Sequence, residues 1–155
     1  MPNCNDRYDR PCSDMISVLS RTLASANRMI ATLLSEEGID NLVPSHGDIL
    51  MQLFANRELS MAALADAIGK DPSTVTALVK KLADAGYVET RKCVQDKRVT
   101  NVGLTEKGRG LEKSVANISN ALFDAMETNL SPDQLRDTRN ALLTMKESFE
   151  KGSER

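Results

Sequence analysis

The sequence predicts a mainly α-helical fold with one small β-hairpin, and three observations support this prediction. Apolar residues recur at steps of three and four along residues 14–36 and 111–126, which is the spacing of a helical stripe. Serine, threonine or aspartate, in several cases followed by proline, precedes the helical stretches. Two short segments rich in β-branched residues, 87–92 and 98–104, enclose the polar residues VQDK, as expected for a hairpin.

The first predicted helix is long and covers residues 14–36. Its apolar stripe comprises Ile16, Leu19, Leu23, Ala26, Ile30 and Leu33. Pro44 suits the first position of a second helix, which we expect to end near Asn56. We expect that helix to bury Ile49, Leu50, Leu53 and Phe54.

Capping signals delimit the next two helices. Ser60 is expected to cap a short helix that ends at Gly69. Asp71 and Pro72 then open a helix in DPSTVTALVKKLADAGYV, which ends at Gly86. The apolar face of this helix consists of Val75, Leu78, Val79 and Leu82.

Two further helices are predicted after the hairpin. Thr105 is expected to cap a single long helix with a stripe through Leu111, Val115, Ile118, Leu122 and Met126. In the segment SPDQ, Ser131 and Gln134 form a capping box with Pro132 in the first turn, so a last helix should follow.

Composition limits the classes of function. At 155 residues, 41% apolar and 27% charged, the chain is typical of a soluble globular domain. No apolar run reaches the roughly 20 residues of a membrane helix, and the polar N-terminus lacks a signal-peptide core, so we expect a cytoplasmic protein without membrane association. Three cysteines and one isolated histidine, His46, match neither a disulfide framework nor a metal site. We expect no cofactor and no enzymatic activity, because no nucleophile has an adjacent base.

The net charge of -2 conceals an uneven distribution of charge. Residues 70–113 hold ten lysines and arginines against six acidic residues, whereas the segments on either side are net negative. A basic middle segment is compatible with a nucleic-acid partner, although mixed charges are also typical of a solvated surface.

Two short helices joined by the tight turn GKDP and followed by a hairpin predict a helix-turn-helix with a wing. Opposite its apolar face, the second helix carries small polar and basic residues: Ser73, Thr74, Thr76, Ala77, Lys80 and Lys81. Such a thin face can approach the base edges of double-stranded DNA, and the helix N-terminus offers backbone N–H groups to a phosphate. Serine and threonine also suit first turns for purely local reasons, so that alternative stays open.

The hairpin adds further candidate DNA contacts. We expect Lys97 and Arg98 to lie at a protruding tip, where an arginine can enter a narrow minor groove. Asp96 is close enough in sequence to hold the Arg98 guanidinium in position. Arg91, on the strand that leads into the wing, completes the candidate set.

Several motifs, in order, resemble the multiple-antibiotic-resistance regulator (MarR) family. They are VPSHGDIL, STVTALVKKL, AGYVET, DKRVTNVGLTEKG with its Asp-x-Arg wing and LTxxG, and LSPDQL. The resemblance implies one MarR-type domain over residues 1–155, with a winged helix-turn-helix DNA-binding lobe at 44–104 and dimerisation helices at 14–37 and 105–151. It also implies a homodimeric transcriptional regulator, usually a repressor, on a pseudo-palindromic operator. Periodicity alone would equally allow these long helices to pack within one chain.

The chain departs from the family pattern at two positions near the expected DNA. Ala77 stands where members often carry arginine, and Thr90 stands where they often carry a basic residue. We therefore expect direct base reading to be weaker and the shape of the DNA to matter relatively more.

The resemblance further implies a small aromatic or anionic effector, bound in a crevice between the dimer helices and the DNA-binding lobe. His46 resembles a pocket-lining position of the family, and its imidazole could hydrogen-bond a carboxylate or a phenol. Cys12 resembles the sensing cysteine of the organic-hydroperoxide branch, so redox sensing is an alternative. A winged-helix interaction module without DNA binding is a second alternative, motivated by the negative net charge and by Ala77.

Overall fold

The structure is a computed structural model that describes residues 14–39 and 41–153. The chain forms two compact units that divide between Ile118 and Ser119. The helices are α1 (Met15–Glu36), α2 (Pro44–Asn56), α3 (Met61–Ile68), α4 (Pro72–Asp84), α5 (Glu106–Arg109), α6 (Glu112–Glu127) and α7 (Pro132–Ser153). The strands are β1 (Glu58–Ser60), β2 (Val88–Lys92) and β3 (Thr100–Leu104). The predicted mainly helical fold with a small hairpin is confirmed.

The core of the first unit lies between α2, α3, α4 and the sheet. Its fully buried apolar side chains include Ile49, Leu50, Leu53, Leu64, Val75, Leu82 and Val102. The predicted caps of α3 are present: the Ser60 hydroxyl accepts the backbone N–H of Ala63 at 3.1 Å, and Gly69 ends the helix with a left-handed φ of 61°. Phe54, which was expected to be buried, is only half-buried.

The helix α1 forms as predicted, but none of its apolar stripe is fully buried: two of the six residues are exposed and four are half-buried. Leu34 is its one buried residue, whereas Ile16 and Leu23 are 61% and 63% exposed. Just after the helix, the Glu37 carboxylate accepts a hydrogen bond from the Ser114 hydroxyl at 2.6 Å, which joins this segment to α6 and lowers the pKa of Glu37.

The sheet contains a strand that the sequence analysis missed. β1, β3 and β2 lie side by side in that order, and both pairings are antiparallel, with Leu59 and Thr90 flanking Val102. β1 has only three residues, which is too short for an alternating pattern to show, and it pairs with the edge of β3 that β2 leaves free. β3 begins at Thr100 rather than at residue 98, because residues 96–99 form the turn.

The single long helix predicted after Thr105 is interrupted. Thr105 instead caps the four-residue helix α5, and two residues separate the end of α5 from the start of α6. A tight hydrogen bond from the N–H of Leu111 to the carbonyl of Gly108, at 3.1 Å, marks the interruption. The interruption follows from two nearby glycines, Gly108 and Gly110, which weaken a continuous helix.

The turn before α5 is tied to the end of α4 by a shared hydroxyl group. The Thr105 hydroxyl accepts the N–H of Gly108 at 3.0 Å and donates to the carbonyl of Gly86 at 2.6 Å. Gly108 lies so close to Tyr87 that a Cβ atom on it would stand 1.9 Å from the Tyr87 carbonyl oxygen. Only glycine fits at this position without a backbone shift.

The second unit comprises the end of α6 and all of α7. The predicted capping box is present, since the N–H of Ser131 bonds the Gln134 side chain at 2.9 Å and the N–H of Gln134 bonds the Ser131 hydroxyl at 3.3 Å. Leu135 and Met145 are half-buried, whereas Phe123 and Leu143 are exposed. Within residues 14–39 and 41–153, no helix is both long enough and apolar enough to cross a membrane.

We predict that Gly108→Ala lowers the free energy of unfolding by about 1–3 kcal/mol or more, because the added methyl group overlaps the Tyr87 carbonyl. Gly47→Ala is the matched control: Gly47 lies inside α2 with no atom near its would-be Cβ, so alanine should be neutral or stabilise by up to about 1 kcal/mol. Urea unfolding of both variants checks this. Equal stability of the two variants would show that the close approach at Gly108 is not limiting.

Candidate nucleic-acid interface

The helix α4 has one buried face and one exposed face. Val75, Val79 and Leu82 are buried in the core. On the opposite side Ser73, Thr76, Ala77, Lys80 and Lys81 are exposed, and Thr74 is half-buried. The structure therefore brings the predicted residues of this helix to one accessible surface.

Asp71 organises the first turn of α4. Its carboxylate accepts the hydroxyl hydrogen of Ser73, the backbone N–H of Thr74 at 2.9 Å, and the Thr74 hydroxyl at 2.6 Å. These hydrogen bonds, led by that from Ser73, hold the pKa of Asp71 well below its usual range. The expectation that this helix N-terminus offers its N–H groups to a phosphate needs correction, because Asp71 already occupies that position with a negative charge.

The hydroxyl hydrogens on the exposed face of α4 are used inside the helix. Besides Ser73 and Thr74, the Thr76 hydroxyl donates to the carbonyl of Pro72 at 2.7 Å. The hydroxyl oxygens keep free lone pairs, so this face presents hydrogen-bond acceptors to a partner. In the major groove of DNA the matching donors are the amino groups of adenine and cytosine. The hydroxyl hydrogens therefore form local hydrogen bonds at the start of the helix, whereas the hydroxyl oxygens can still accept hydrogen bonds from bases.

Lys80 and Lys81 give the exposed face its positive charge. Both side chains are exposed, and neither forms an ion pair with any residue in 14–39 or 41–153. Unpaired lysines near the end of a helix are free to contact an anionic backbone such as DNA phosphate. Ala77 and Thr90, the two departures from the family pattern, are exposed as well.

The tip of the wing is a tight turn held by Asp96. The Asp96 carboxylate accepts the backbone N–H of Arg98 at 2.9 Å, and its carbonyl accepts the N–H of Val99 at the same distance. The sequence analysis expected Asp96 to hold the Arg98 guanidinium, which was wrong: it holds the backbone of residue 98. Lys97 and Arg98 are exposed at this turn, so their charged ends remain accessible.

Arg91 differs from the other predicted cations because it is already paired. Its guanidinium forms an ion pair with the Glu89 carboxylate two residues earlier on β2, and both side chains are largely exposed. A surface pair of this kind is worth little to stability, but the Glu89 carboxylate offsets the positive charge that Arg91 brings to an anionic partner. We therefore rank Arg91 below Lys80 and Arg98 as a DNA contact.

The sequence analysis overlooked two residues near the wing. Lys92 follows Arg91 on β2, and its ammonium group donates across the hairpin to the Thr100 hydroxyl at 2.8 Å. Val94 is 96% exposed. The sequence could have indicated that Val94 is exposed, because it is the one apolar residue in the polar loop VQDK.

His46 is buried at the start of α2 rather than open to solvent. Its Nδ1 atom accepts the backbone N–H of Val43 at 3.0 Å, so the ring hydrogen must lie on Nε2, for which the described residues provide no acceptor. Burial, with a smaller contribution from Lys81, lowers the pKa of His46 and keeps the ring neutral. The effector role assigned to His46 remains a prediction, and in this structure its ring is only 1% exposed.

Two cysteines, Cys12 and Cys93, remain to be placed relative to this surface. Cys12 lies outside the described residues, so its redox role stays a prediction. Cys93, at the end of β2, is a half-buried free thiol.

Comparison with known sequences identifies related proteins. Residues 42–100 match the model of the MarR family. The HTH-type transcriptional regulator SarZ of Staphylococcus saprophyticus is 29% identical over 94 residues, which cover 61% of this chain and 63% of SarZ. The match thus spans about three fifths of the length of this curated relative.

Comparison with solved structures supports the same fold. A mutant MarR from E. coli complexed with operator DNA superposes with a TM-score of 0.71 at 18% sequence identity, over 88% of this chain and 99% of that one. BpsR of Bordetella bronchiseptica, whose DNA binding is regulated by 6-hydroxynicotinic acid, gives a TM-score of 0.71 at 19% identity, over 88% and 96%. Both likenesses show a winged-helix fold.

We predict that Asp71→Ala destabilises the chain at neutral pH and that this difference fades in acid. Because the folded pKa of Asp71 is depressed, its stabilisation is present above the unfolded value near 3.8 and is lost as the pH falls below that value. Urea unfolding at a series of pH values measures the difference. Asp84→Asn removes the same charge from the C-terminal end of α4 and should be neutral or stabilising. A difference between parent and Asp71→Ala that stayed constant with pH would contradict the assignment.

Proposed function

Because the chain belongs to the MarR family of winged helix-turn-helix proteins, we propose that it is a cytoplasmic, sequence-specific DNA-binding transcriptional regulator. Its partner is double-stranded DNA, which it binds as a homodimer at a pseudo-palindromic operator. It acts as a repressor and releases the operator when a small aromatic or anionic effector binds.

The exposed face of α4 is the observation that carries this proposal. One side of the helix is fixed in the core, and the other presents small acceptor groups followed by two unpaired lysines. Lys97 and Arg98 at the wing turn add positive charge on a second element of the same unit. A helix for the major groove and a basic wing for the minor groove are the two parts that such a protein needs.

The homodimer is supported by apolar side chains that no part of their own unit covers. Ile16 and Leu23 of α1 are more than half exposed, and in the second unit Phe123 is 58% exposed. Exposed apolar stripes of this length are typical of protein interfaces. Two subunits would set their reading helices about one duplex turn apart, roughly 34–36 Å.

The repressor role rests on the family resemblance of the sequence, and the effector rests on a structural neighbour. BpsR responds to 6-hydroxynicotinic acid, and the E. coli MarR mutant was solved on operator DNA. An interaction module that does not bind DNA is the competing proposal, and a salt titration separates the two. Phosphate contacts make DNA affinity fall steeply with salt, whereas an interaction module would have no DNA affinity to titrate.

We predict that Lys80→Ala weakens binding to all duplex sequences by a similar factor and lowers the slope of log affinity against log salt by about one. Arg98→Ala should weaken duplexes with AT-rich flanks most, because their narrow minor groove concentrates negative potential. Fluorescence anisotropy with duplexes selected from a random library measures both effects.

The control for these variants is Arg136→Ala. Arg136 lies on α7 in an exposed ion pair with Asp133, so its loss changes the net charge equally but removes no proposed contact. The contact assignment is wrong if Lys80→Ala binds like the parent at moderate salt, or if Arg136→Ala weakens binding as much.

We also predict that the parent is a dimer at micromolar concentration and that Leu23→Asp shifts it to monomer. Leu23 is already exposed within one subunit, so a carboxylate there leaves the subunit fold intact but is costly to bury in an interface. Ser25→Asp adds the same charge on the opposite face of α1 and should remain dimeric. Light scattering with circular dichroism decides the question, and a monomeric parent with intact helices would overturn the architecture.

A further inference from the structure

The N-terminal half of the exposed face of α4 presents hydrogen-bond acceptors, while its hydroxyl hydrogens are already used. Those of Ser73 and Thr74 both go to the Asp71 carboxylate, and that of Thr76 goes to a backbone carbonyl of the same helix. The first side-chain donor farther along this face is Lys80. The side chains in this half of the helix can therefore bind the donors of a partner but not its acceptors.

The Asp71 carboxylate is the strongest of these acceptors. It is exposed and forms no ion pair with any residue in 14–39 or 41–153. Hydrogen bonds, led by that from Ser73, hold its pKa well below the usual range, so it is negatively charged at neutral pH. Its Oδ1 atom accepts two of these hydrogen bonds and Oδ2 accepts one, from the Thr74 hydroxyl. A carboxylate oxygen has two lone pairs, so Oδ2 can accept one more.

The charges of α4 are separated along the helix axis. Asp71 precedes the first turn, and Lys80 and Lys81 lie about nine residues later, roughly 14 Å farther along. Phosphate is repelled by a carboxylate and attracted by an ammonium group. On DNA this arrangement favours the lysines at the backbone and the Asp71 end among the base edges of the major groove, where the first residues of a reading helix usually lie.

Cytosine is the base that best matches a negatively charged acceptor. In the major groove cytosine offers its N4 amino group and no acceptor. Guanine offers acceptors alone, thymine offers an acceptor and a methyl group, and adenine places its N7 acceptor beside its amino group. A carboxylate would be repelled by each of these acceptors, and at guanine or thymine it would also lose its contact with water without gaining a hydrogen bond.

We propose that Asp71 reads a cytosine in each operator half-site, by accepting a hydrogen bond from the cytosine N4 amino group. The proposal rests on the proposed DNA binding and deepens it, because it names a base and the residue that selects it. The sequence analysis assigned Asp71 to helix capping alone. Asp71 thus has two roles, since it caps α4 and also decides which base can face the capped end.

The test starts from the operator that the parent protein selects from a random duplex library. Each cytosine of the half-sites is replaced in turn by N4-methylcytosine, which still pairs with guanine but loses the amino hydrogen that faces the major groove. The matched control is 5-methylcytosine, which adds a methyl group to the groove and keeps that hydrogen. We expect N4-methylation at one half-site position to weaken the parent by roughly tenfold, because a hydrogen bond to a charged group is lost. We expect 5-methylation there to weaken it much less.

The variant Asp71→Asn separates the reading role from the capping role. Asparagine caps a helix about as well as aspartate, so α4 should form normally, which circular dichroism can verify. Its amide is neutral and carries donors, so the preference for cytosine at the selected position should fall by roughly tenfold and N4-methylation should cost little. Asp71→Ser, a second uncharged cap, should behave in the same way. Asp84→Asn removes the same charge from the C-terminal end of α4 and should keep the sensitivity of the parent.

The outcomes distinguish this proposal from DNA binding in general. A cytosine whose N4-methylation weakens the parent and Asp84→Asn, but neither Asp71 variant, supports the proposal. The proposal is overturned if no cytosine shows this penalty in the parent, or if the Asp71 variants show it in full with α4 intact. In both of these cases the parent still binds DNA, so the proposed regulator stands. A parent that binds no duplex would refute the proposed function, and the reading role with it.

Discussion

The close packing of Gly108 on the Tyr87 carbonyl is the constraint on which the first unit depends. At this point the segment that follows β3 passes the segment that follows α4. The Thr105 hydroxyl forms a hydrogen bond in each segment, with the N–H of Gly108 and with the carbonyl of Gly86. The Lys107 ammonium group adds a contact 4.5 Å above the Tyr87 ring and a hydrogen bond to the Ala85 carbonyl at 2.7 Å. These interactions fix where β2 begins relative to the end of α4, and so fix the position of the wing relative to α4.

Local signals were sufficient to predict most of the helices. Ser60, Asp71 and the Ser131–Gln134 pair each cap the helix that they were expected to cap, because capping depends only on residues within one turn. The strand β1 could not be predicted in this way, since its three residues become a strand only by pairing with β3, over forty residues later. The break after α5 was missed although Gly108 and Gly110 stand in the sequence, because the prediction relied on the spacing of apolar residues and not on glycines.

The candidate interface was predictable as a surface but not in its chemistry. Helical spacing was enough to show that Ser73, Thr76 and Lys80 share one face. The structure was needed to show that Asp71 takes the hydroxyl hydrogens, that Glu89 pairs with Arg91, and that Asp96 holds backbone instead of guanidinium. Each depends on which of several nearby partners a side chain selects.

The central place of β3 in the sheet has a consequence for how the lobe opens. β3 pairs with β1 on one side and β2 on the other, so both of its edges are protected, whereas each neighbour has one edge free. Backbone amides in β3 should therefore be the slowest in the sheet to exchange their hydrogens with solvent, and the turn at residues 93–99 the fastest. The wing tip can thus fluctuate or be cleaved by a protease while its base stays folded. The hairpin thus combines an accessible turn with a central strand whose two edges are both paired.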